Sequence, residues 1–451
     1  MESIIKTIGI EKISQKLAGF FGTAEASARQ TKFVQRGSSM TGLKFIQTLV
    51  FGYMKNPKAS LKQLAQESTK LGVGISPQGI DERINGYSVA FMKEMYLKAF
   101  TQFKSQGALP IEIVRQFTKL FLVDSTFKLL PDSMVAEYPG AGGKASKASL
   151  KVQLVFEFIY GNLAQLVIEA GRAADQAFVQ YLDILEAGSL VIMDLGYFCL
   201  ASLRTIAEKG AYFIMRYHYP TTICLPDGTK LDLLDWVQSQ EQKLLEIPIL
   251  LGASPKQQIA CRLISTPVPL AVAEERRRKA KRNARTHGKT LSEAYLNFLG
   301  WSVFLTNVPA HMLSTPQVVT FYRIRWQVEL IFKLWKSYCG LEHILAFRPE
   351  RVLTEFYAKL LVIVLTTFLV GPLRVPDVTW SNREISPVQV RLILADFADN
   401  IAAILSDLIP LQKTIHDLFS QIARFGFKQI RRTKPNVCAL LAQMSIPATA
   451  S

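Results

Sequence analysis

The stretch that decides the fold of this chain is Phe321-Tyr-Arg-Ile-Arg-Trp-Gln-Val-Glu-Leu-Ile-Phe-Lys-Leu-Trp-Lys336. Its apolar residues recur with the period of an α-helix, so one side of that helix can pack into a core. An arc of roughly 80° on the helix would carry one carboxylate among cations and aromatic rings, namely Tyr322, Arg325, Glu329, Lys333 and Lys336, with Trp326 at the edge. This surface suits a carboxylate that holds a metal ion beside phosphates. The alternative is an ordinary surface helix on which Arg325 and Glu329 form an i,i+4 pair.

Net charge is the second informative property of this chain of 451 residues. Its 53 lysines and arginines outnumber its 36 aspartates and glutamates, which gives a formal net charge of +17. Such a charge predicts an anionic partner, most simply nucleic acid, with an anionic membrane surface as the competing explanation. The longest apolar run, residues 360–370, is shorter than the roughly 20 residues of a typical membrane span. We therefore expect a buried helix there and no membrane partner.

The cysteines and histidines narrow the possible chemistry. Five cysteines are scattered without a Cys-x-x-Cys pair, and five histidines are equally dispersed. This distribution argues against a zinc site or a disulfide framework and favours a reducing cytoplasm. If the protein is an enzyme, its ionisable chemistry is expected to rest on carboxylates.

Both ends of the chain are predicted to be helical. Residues 1–115 form a basic series of short periodic segments separated by polar turns, with Ser60 as a candidate N-cap. The series is compatible with a helix-turn-helix reader of DNA, and equally with a plain helical bundle. Residues 376–451 also predict helices, without a recognisable motif.

Residues 116–217 change to short apolar runs. Strands are predicted at 120–124, 150–160, 163–169, 189–194 and 212–216, with helices at 175–185 and 200–209. Three strands followed by a helix and another strand is the order of a ribonuclease-H-like core. That core would place Asp124 and Asp194, each ending a predicted strand, on neighbouring strands. An unpaired buried charge is costly, so both aspartates are functional candidates, although either one alone could be a turn residue or a helix N-cap.

Residues 218–299 predict a β-rich insertion. Strands are expected at 244–251 and 258–265, and the basic run 274–285 predicts a helix. We expect the cations of this helix to contact phosphates, and name as candidates Arg276, Arg277, Arg278, Lys281 and Arg282. A solvated helical face is the alternative. A strand beginning at Trp301 then leads back to the stretch 321–336.

The two aspartates and Glu329 together suit phosphodiester cleavage. Hard cations such as Mg²⁺ prefer carboxylate oxygens. Two such ions about 3.5–4 Å apart can activate the incoming oxygen and stabilise the departing one. Three carboxylates from separate elements can bind this pair and leave positions for water and phosphate.

At this point the sequence resembles the DDE transposases of bacterial insertion sequences, specifically the IS-four family. The family signature Tyr-x2-Arg-x3-Glu-x6-Lys matches Tyr322, Arg325, Glu329 and Lys336, so residues 321–336 are called the signature segment below. The blocks Leu-Val-Asp124-Ser-Thr and Ile-Met-Asp194-Leu-Gly-Tyr match its two catalytic aspartate blocks. The stretch 304–309 is similar to the strand that leads to the signature.

The resemblance implies a mixed α/β fold, with a ribonuclease-H-like core interrupted by the β-rich insertion and flanked by helical regions. Its expected parts are an N-terminal DNA-binding region, the first part of the core, the insertion, the second part of the core and a C-terminal region with a possible role in dimerisation, at residues 1–115, 116–217, 218–299, 300–375 and 376–451. The protein would be bacterial, cytoplasmic and associated with the nucleoid.

The resemblance also implies cutting at transposon ends with two Mg²⁺ or Mn²⁺ ions, followed by strand transfer into target DNA. Asp124, Asp194 and Glu329 would bind the metals, while Tyr322, Arg325, Lys333 and Lys336 would hold phosphates. Family members can cut through a hairpin with a flipped base stacked on tryptophan, a role expected for Trp326 and Trp301, although core packing is the alternative for both. The partners would be double-stranded terminal repeats, target DNA and a second copy of the chain, as a homodimer or higher assembly.

Two other hypotheses remain from the sequence. The chain could be a DNA-binding protein whose catalytic core has decayed or been repurposed, although the complete acidic triad speaks against decay. It could also be a structure-specific nuclease on the same fold that never joins strands. Strand transfer with precut ends distinguishes the nuclease from a transposase.

Overall fold

The structure, a computed structural model, describes residues 9–105, 107–109, 111–142, 147–240, 243–344, 346–374, 385–428 and 437–444. The chain divides into two compact units. Unit 1 comprises Met1–Pro110, Ser125–Ala173 and Val328–Lys434, and unit 2 comprises Ile111–Asp124, Ala174–Gln327 and Pro435–Ser451. Each unit joins segments that are distant in sequence, and the five predicted regions stay a prediction.

The helices and strands follow one another in a mixed order. They are α1 (Ile10–Gly22), α2 (Ala24–Gln30), α3 (Gly42–Lys55), α4 (Leu61–Lys70), α5 (Pro77–Arg83), α6 (Gly86–Gln102), α7 (Glu112–Arg115), β1 (Leu120–Leu130), β2 (Ala148–Glu157), β3 (Asn162–Ala170), β4 (Leu190–Met193), α8 (Leu200–Glu208), β5 (Tyr212–Arg216), β6 (Ile223–Cys224), α9 (Leu233–Gln238), β7 (Leu245–Leu251), β8 (Ile259–Pro267), α10 (Leu270–Thr286), α11 (Glu293–Phe298), β9 (Trp301–Thr306), α12 (Thr315–Ile324), α13 (Trp326–Ser337), α14 (Pro349–Val370), α15 (Pro387–Ile404), α16 (Leu408–Phe425) and α17 (Val437–Ala442). The predicted α/β class is confirmed.

The core of unit 1 is built around α14. This helix packs against α3 and α6, and α15 packs against α3 and α16. Polar caps start the N-terminal helices, as at Ser60, whose hydroxyl accepts a hydrogen bond from the backbone N–H of Gln63 at 3.3 Å and confirms the predicted cap. Among the described residues, Pro349–Leu373 is long and apolar enough to cross a membrane, but 83% of its apolar window is buried within the protein. The predicted buried helix at 360–370 is therefore confirmed.

The sheet of unit 2 places parallel strands beside antiparallel ones. Its strand order is β1-β4-β5-β9-β8-β7-β6, with β1, β4 and β5 parallel and the remaining pairs antiparallel. Val123 of β1 pairs with Met193 of β4. Residues 120–123 of β1 and residues 190–193 of β4 are all buried. The continuous apolar runs of the two strands are typical of parallel strands buried on both faces.

In unit 1 the strand order is β3-β2-β1. Strand β1 belongs to both units, since its first half lies in unit 2 and its second half in unit 1. Strands β2 and β3 form an antiparallel hairpin. Gly161 precedes β3 with a φ of 73°, a left-handed conformation that glycine adopts without a steric penalty. Gly161 thus lies in the hairpin turn, residues 158–161, whereas Asn162 already belongs to β3 and pairs with Glu157.

Two predicted elements differ in the structure. Strand β1 continues through Asp124 to Leu130, so Asp124 lies within the strand rather than at its end. The helix predicted at 175–185 is replaced by two short 3-10 helices. Between them Phe178 has an extended backbone, and its buried ring packs against Tyr181 and Tyr197, so tertiary packing interrupts the helix.

The signature segment forms two helices rather than one continuous helix. Arg325 lies between α12 and α13, and its backbone N–H donates to the carbonyl of Tyr322 at 3.2 Å, the tighter bond of a 3-10 turn. The backbone of Arg325 remains in the right-handed helical region, with φ −49° and ψ −36°. The chain therefore tightens at Arg325 without reversing direction.

Candidate active site

The register of the parallel pair brings two aspartates side by side. Because Val123 pairs with Met193, Asp124 within β1 and Asp194 directly after β4 occupy the next position. Neighbouring strands lie about 4.8 Å apart in a sheet. Their side chains are 18% and 45% exposed, whereas the paired residues before them are buried. The strands are neighbours, as the predicted core requires. The two carboxylates lie just beyond the last buried, paired residues and are partly exposed to solvent.

A single guanidinium lies beside both carboxylates. One terminal nitrogen of Arg325 donates to Oδ2 of Asp124 at 3.2 Å, and its Nε lies 3.9 Å from Oδ1 of Asp194. The first contact is a charge-assisted hydrogen bond and the second an ion pair without hydrogen-bond geometry. The Arg325 side chain is 15% exposed, so water screens the pair with Asp124 only partly.

Tyr322 adds a neutral donor to this group. Its hydroxyl donates a long hydrogen bond of 3.5 Å to Oδ1 of Asp194, and its ring packs against Phe304 with centroids 5.1 Å apart. Burial, followed by the negative charge of Asp194, raises the pKa of Tyr322 to about 12. Tyr322 therefore stays protonated at neutral pH and can donate to an anionic oxygen.

The remaining signature residues lie on α13. Val328, Phe332 and Trp335 form its buried side. Glu329 lies in its first turn, where the helix dipole favours a negative charge. Lys333 is exposed, and Lys336 places its Nζ 3.3 Å from Oε1 of Glu342. The predicted division of the signature segment into a packed side and a charged side is therefore present in α13.

The donor chemistry of the aspartate pair fits a divalent cation. Two carboxylates on adjacent strands concentrate negative charge, and the Arg325 guanidinium occupies the position of a neutralising cation beside them. Within the described ranges, no group of three or more His, Cys, Asp or Glu side chains is close enough to hold a metal ion. The three-carboxylate metal site with Glu329 thus stays a prediction.

The two candidate tryptophans differ in accessibility. Trp326 is the first residue of α13, and its side chain is 56% exposed. Trp301 is the half-buried first residue of β9, where it pairs with Pro267 of β8. Trp326 is therefore the more accessible of the two rings predicted to stack on a base.

The basic helix α10 divides its cations between two tasks. Arg276 donates to the carbonyl of Trp301 at 3.0 Å and to the hydroxyl of Ser302 at 3.1 Å, while Arg277 donates to the carbonyl of Leu296 at 2.9 Å. These two arginines hold α10 against β9 and α11. The cations that follow are exposed, namely Arg278, Lys279, Lys281, Arg282 and Arg285. The phosphate contact of Arg276 and Arg277 stays a prediction, and both side chains already have protein partners.

Sequence reasoning missed the side chains that hold the end of β9. The Asn307 carboxamide accepts from the N–H of Phe213 at 2.7 Å and donates to the carbonyl of Ala211 at 2.9 Å. The buried Thr306 hydroxyl donates to the carbonyl of Phe213 at 2.7 Å. These bonds attach β9 to β5, the neighbour of the Asp194 strand. The Thr-Asn pair directly after an apolar run was the available sequence signal.

Sequence reasoning also missed Glu246 on β7 and Arg262 on β8. Because Glu246 pairs with Ile264 and Arg262 with Pro248, the two side chains share one face of the hairpin as diagonal neighbours. Their opposite charges on two adjacent predicted strands could have indicated the pair, but the strand register was needed to find it. Their contacts are described below.

Comparison with known proteins places the site within a recognised family. The family model described as "Transposase DDE domain" matches residues 115–365, which contain both aspartates and the signature segment. The chain is 26% identical over 433 residues to the transposase for insertion sequence element IS231F of Bacillus thuringiensis subsp. israelensis, covering 92% of this chain and 91% of that protein.

Two further relatives extend the similarity. The transposase for insertion sequence element IS1151 of Clostridium perfringens is 26% identical, with 94% of each chain covered. The putative transposase InsL for insertion sequence element IS186A of Escherichia coli (strain K12) is 27% identical over 176 residues, covering 38% of this chain and 48% of that protein. With the first two relatives, the similarity extends well beyond the residues that the family model matches.

Proposed function

This chain belongs to the transposase DDE domain family, and from that premise we propose that it is the transposase of an insertion sequence. It binds the terminal inverted repeats of its element, cuts the DNA at the ends and joins the 3′-OH ends to target DNA. The observation that carries this proposal is the side-by-side position of Asp124 and Asp194, one residue beyond the Val123–Met193 pair, with Arg325 and Tyr322 against them. All four residues fall within the matched range 115–365.

The proposed cofactor is a pair of Mg²⁺ or Mn²⁺ ions held by Asp124, Asp194 and Glu329. When bound, such a pair supplies Lewis acidity to the attacking and leaving oxygens of an in-line displacement. The adjacent aspartates supply the hard oxygen ligands that these ions prefer. Glu329 completes the set from the first turn of α13.

The chain's own cations and Tyr322 hold the phosphates. Arg325 contacts both aspartates, and its guanidinium would hold a phosphate oxygen if metal ions occupied the aspartate pair. Tyr322 keeps its proton and donates to a phosphate oxygen, while Lys333 and Lys336 add positive charge from the next turns of the same segment. A planar guanidinium suits this task because it can donate two parallel hydrogen bonds to one phosphate.

Further surfaces complete the proposed DNA interface. Trp326 stacks an unpaired base at the cut end, with Trp301 as a second candidate, and the cations of α10 contact phosphates of the flanking duplex. Residues 1–115 recognise the terminal repeats, and residues 376–451 take part in a homodimer or larger assembly that pairs the two ends. The protein works in the bacterial cytoplasm on the nucleoid, and a hairpin at the cut end is an accessible intermediate.

Cleavage of DNA that carries the element's inverted repeats tests this proposal. We expect Asp124→Asn, Asp194→Asn and Glu329→Gln to bind the repeats but to lose Mg²⁺-dependent cutting. The matched control is Glu208→Gln, which removes an exposed carboxylate on α8 and should leave cutting unchanged. Undiminished cutting by any of the three variants would reject the role of that residue. Cutting without joining of precut ends would instead support a nuclease.

A further inference from the structure

The β-rich insertion makes a set of polar contacts with the chain that leads into α12. Arg262 of β8 and Glu246 of β7 form a two-point ion pair, with Nε–Oε1 and Nη2–Oε2 distances of 2.7 Å each. The remaining terminal nitrogen of Arg262 donates to the carbonyls of Val308 at 2.9 Å and Leu313 at 2.8 Å. The Thr315 hydroxyl donates to Oε2 of Glu246. The name 'clamp' is used below for Glu246 and Arg262 together with the carbonyls of Val308 and Leu313 and the hydroxyl of Thr315.

The clamp differs from an ordinary surface ion pair. Most exposed pairs contribute little because water screens them and both side chains lose freedom. Arg262 is only 11% exposed, and all three of its guanidinium nitrogens have protein partners. Burial opposes ionisation of Glu246, but the hydrogen bonds from Arg262 and Thr315 outweigh it and lower the pKa of Glu246. The pair therefore stays ionised and geometrically defined.

The clamped segment is the start of the helix that presents the signature residues. Val308 and Leu313 bracket the connection between β9 and α12, and Thr315 is the first residue of α12. The backbone N–H of Ser314 donates to Oε1 of Gln317 at 2.8 Å, which stabilises the first turn. Tyr322 and Arg325 follow two to three turns later, about 10–15 Å along the helix axis.

We propose that Glu246 and Arg262 are positioning residues, through which the insertion sets the place of α12 and thereby aims Tyr322 and Arg325 at the aspartate pair. The proposal rests on the proposed function for its catalytic consequence, but not for its structural one. Its basis is that Arg262 donates to two backbone carbonyls of the connection between β9 and α12. Errors of about 1 Å in the placement of catalytic groups can reduce turnover about a hundredfold.

The test uses the full chain in two measurements. Hydrogen exchange in the DNA-free protein reports on the backbone of residues 308–325, and steady-state cleavage reports kcat and KM for repeat DNA. The variants are Arg262→Gln, Arg262→Lys and the charge swap Glu246→Arg with Arg262→Glu. The swap keeps an ion pair across the hairpin but removes the donors to Val308 and Leu313. The matched control is Glu186→Gln, which breaks the exposed pair of Glu186 with Lys119.

We expect Arg262→Gln to accelerate exchange at 308–325 about tenfold, while exchange in β4 and β5 stays unchanged. We expect kcat to fall about tenfold to a hundredfold with little change in KM, because the aim of catalytic groups is altered rather than the DNA-binding surface. Arg262→Lys should recover part of both effects, and the charge swap should recover neither. Glu186→Gln should behave as the parent protein.

Two results would overturn the proposal. One is recovery of exchange and kcat by the charge swap, which would show that only the ion pair matters. The other is a uniform rise in exchange over the whole of unit 2, which would show general destabilisation. If the parent protein does not cut DNA, the proposed function fails, yet the exchange experiment still decides whether the clamp holds α12.

Discussion

Replacing Arg325 with glutamine should destabilise the metal-free protein and, at the same time, tighten its binding of Mn²⁺. Arg325 neutralises Asp124 at 3.2 Å and Asp194 at 3.9 Å. The variant Arg325→Gln leaves two adjacent carboxylates without that cation. A metal ion binding to the same carboxylates then has no Arg325 guanidinium to displace.

The magnitude follows from the geometry. Two unit charges about 4 Å apart interact by about 4 kcal/mol at the effective dielectric constant near a protein surface. Breaking a fully buried pair costs about 3–5 kcal/mol, but Asp194 is 45% exposed, so screening reduces its share. We therefore expect a loss of about 2 kcal/mol in the free energy of unfolding. The parent protein loses this attraction between Arg325 and the aspartates when a metal ion binds, whereas the variant does not. A difference of about 2 kcal/mol corresponds to about thirtyfold tighter Mn²⁺ binding by the variant.

Isothermal titration of the DNA-free protein with Mn²⁺ measures the affinity, and urea denaturation without metal measures the stability. Arg323→Gln is the control, because it removes an exposed arginine of α12 two residues away and should change neither quantity. Mn²⁺ affinity that stays equal or falls in Arg325→Gln, while the stability drops, would refute the idea that Arg325 competes with metal for the aspartates. Cleavage by the variant should still be reduced, since the proposed phosphate contact is lost.

Three further predictions concern other surfaces. Replacing the exposed α10 cations Arg278, Lys281 and Arg282 with alanine should weaken binding to any DNA sequence and reduce the slope of log affinity against log salt by up to about three, which filter binding over a salt series measures. Trp326→Ala should lower affinity for DNA with an unpaired terminal base by about 1–3 kcal/mol and leave fully paired DNA unaffected, as compared by fluorescence anisotropy. The Asp399 carboxylate forms ion pairs with Lys55 at 2.6 Å and with Lys70 at 2.8 Å. Burial opposes ionisation of Asp399, but these contacts outweigh it and lower the pKa of Asp399 to about 2. Because the pKa of Asp399 in the folded protein lies below its unfolded value near 3.9, its ion pairs stabilise the protein above pH 4, and this stabilisation is lost as the pH falls toward 2. Thermal melting between pH 5 and 2.5 should therefore show a smaller acid-induced loss of stability for Asp399→Asn than for the parent protein.

The sequence predicted most of the elements that carry the site, because their signals are local. The period of the signature segment indicated which side of α13 is buried, and Trp335 is buried as that period requires. The strand ending at Arg216 agrees with its predicted bounds. The sequence did not predict the interruption at Phe178, whose ring packs against Tyr181 and Tyr197. A contact with another element can override local helix preference, and a periodic pattern carries no information about that contact.

The division of the α10 arginines shows the same limit. A run of cations predicts phosphate contact, but Arg276 and Arg277 donate to backbone carbonyls of neighbouring elements. Their charge is identical to that of Arg278, which is exposed. Only the docking of α10 against β9 and α11 distinguishes the residues that hold the helix from those that face solvent.

By itself, the sequence determined the fold class, the excess of positive charge and the spacing of the signature residues, because residue type and periodicity act over a few neighbouring positions. The tertiary structure decided which groups meet. Strand register set Asp124 beside Asp194, and the tightened turn at Arg325 accompanies its contacts with both carboxylates. The diagonal pairing of Glu246 with Arg262 likewise depends on the β7–β8 register. Such contacts join residues far apart in the chain, and their electrostatic energy depends on distances that exist only after folding.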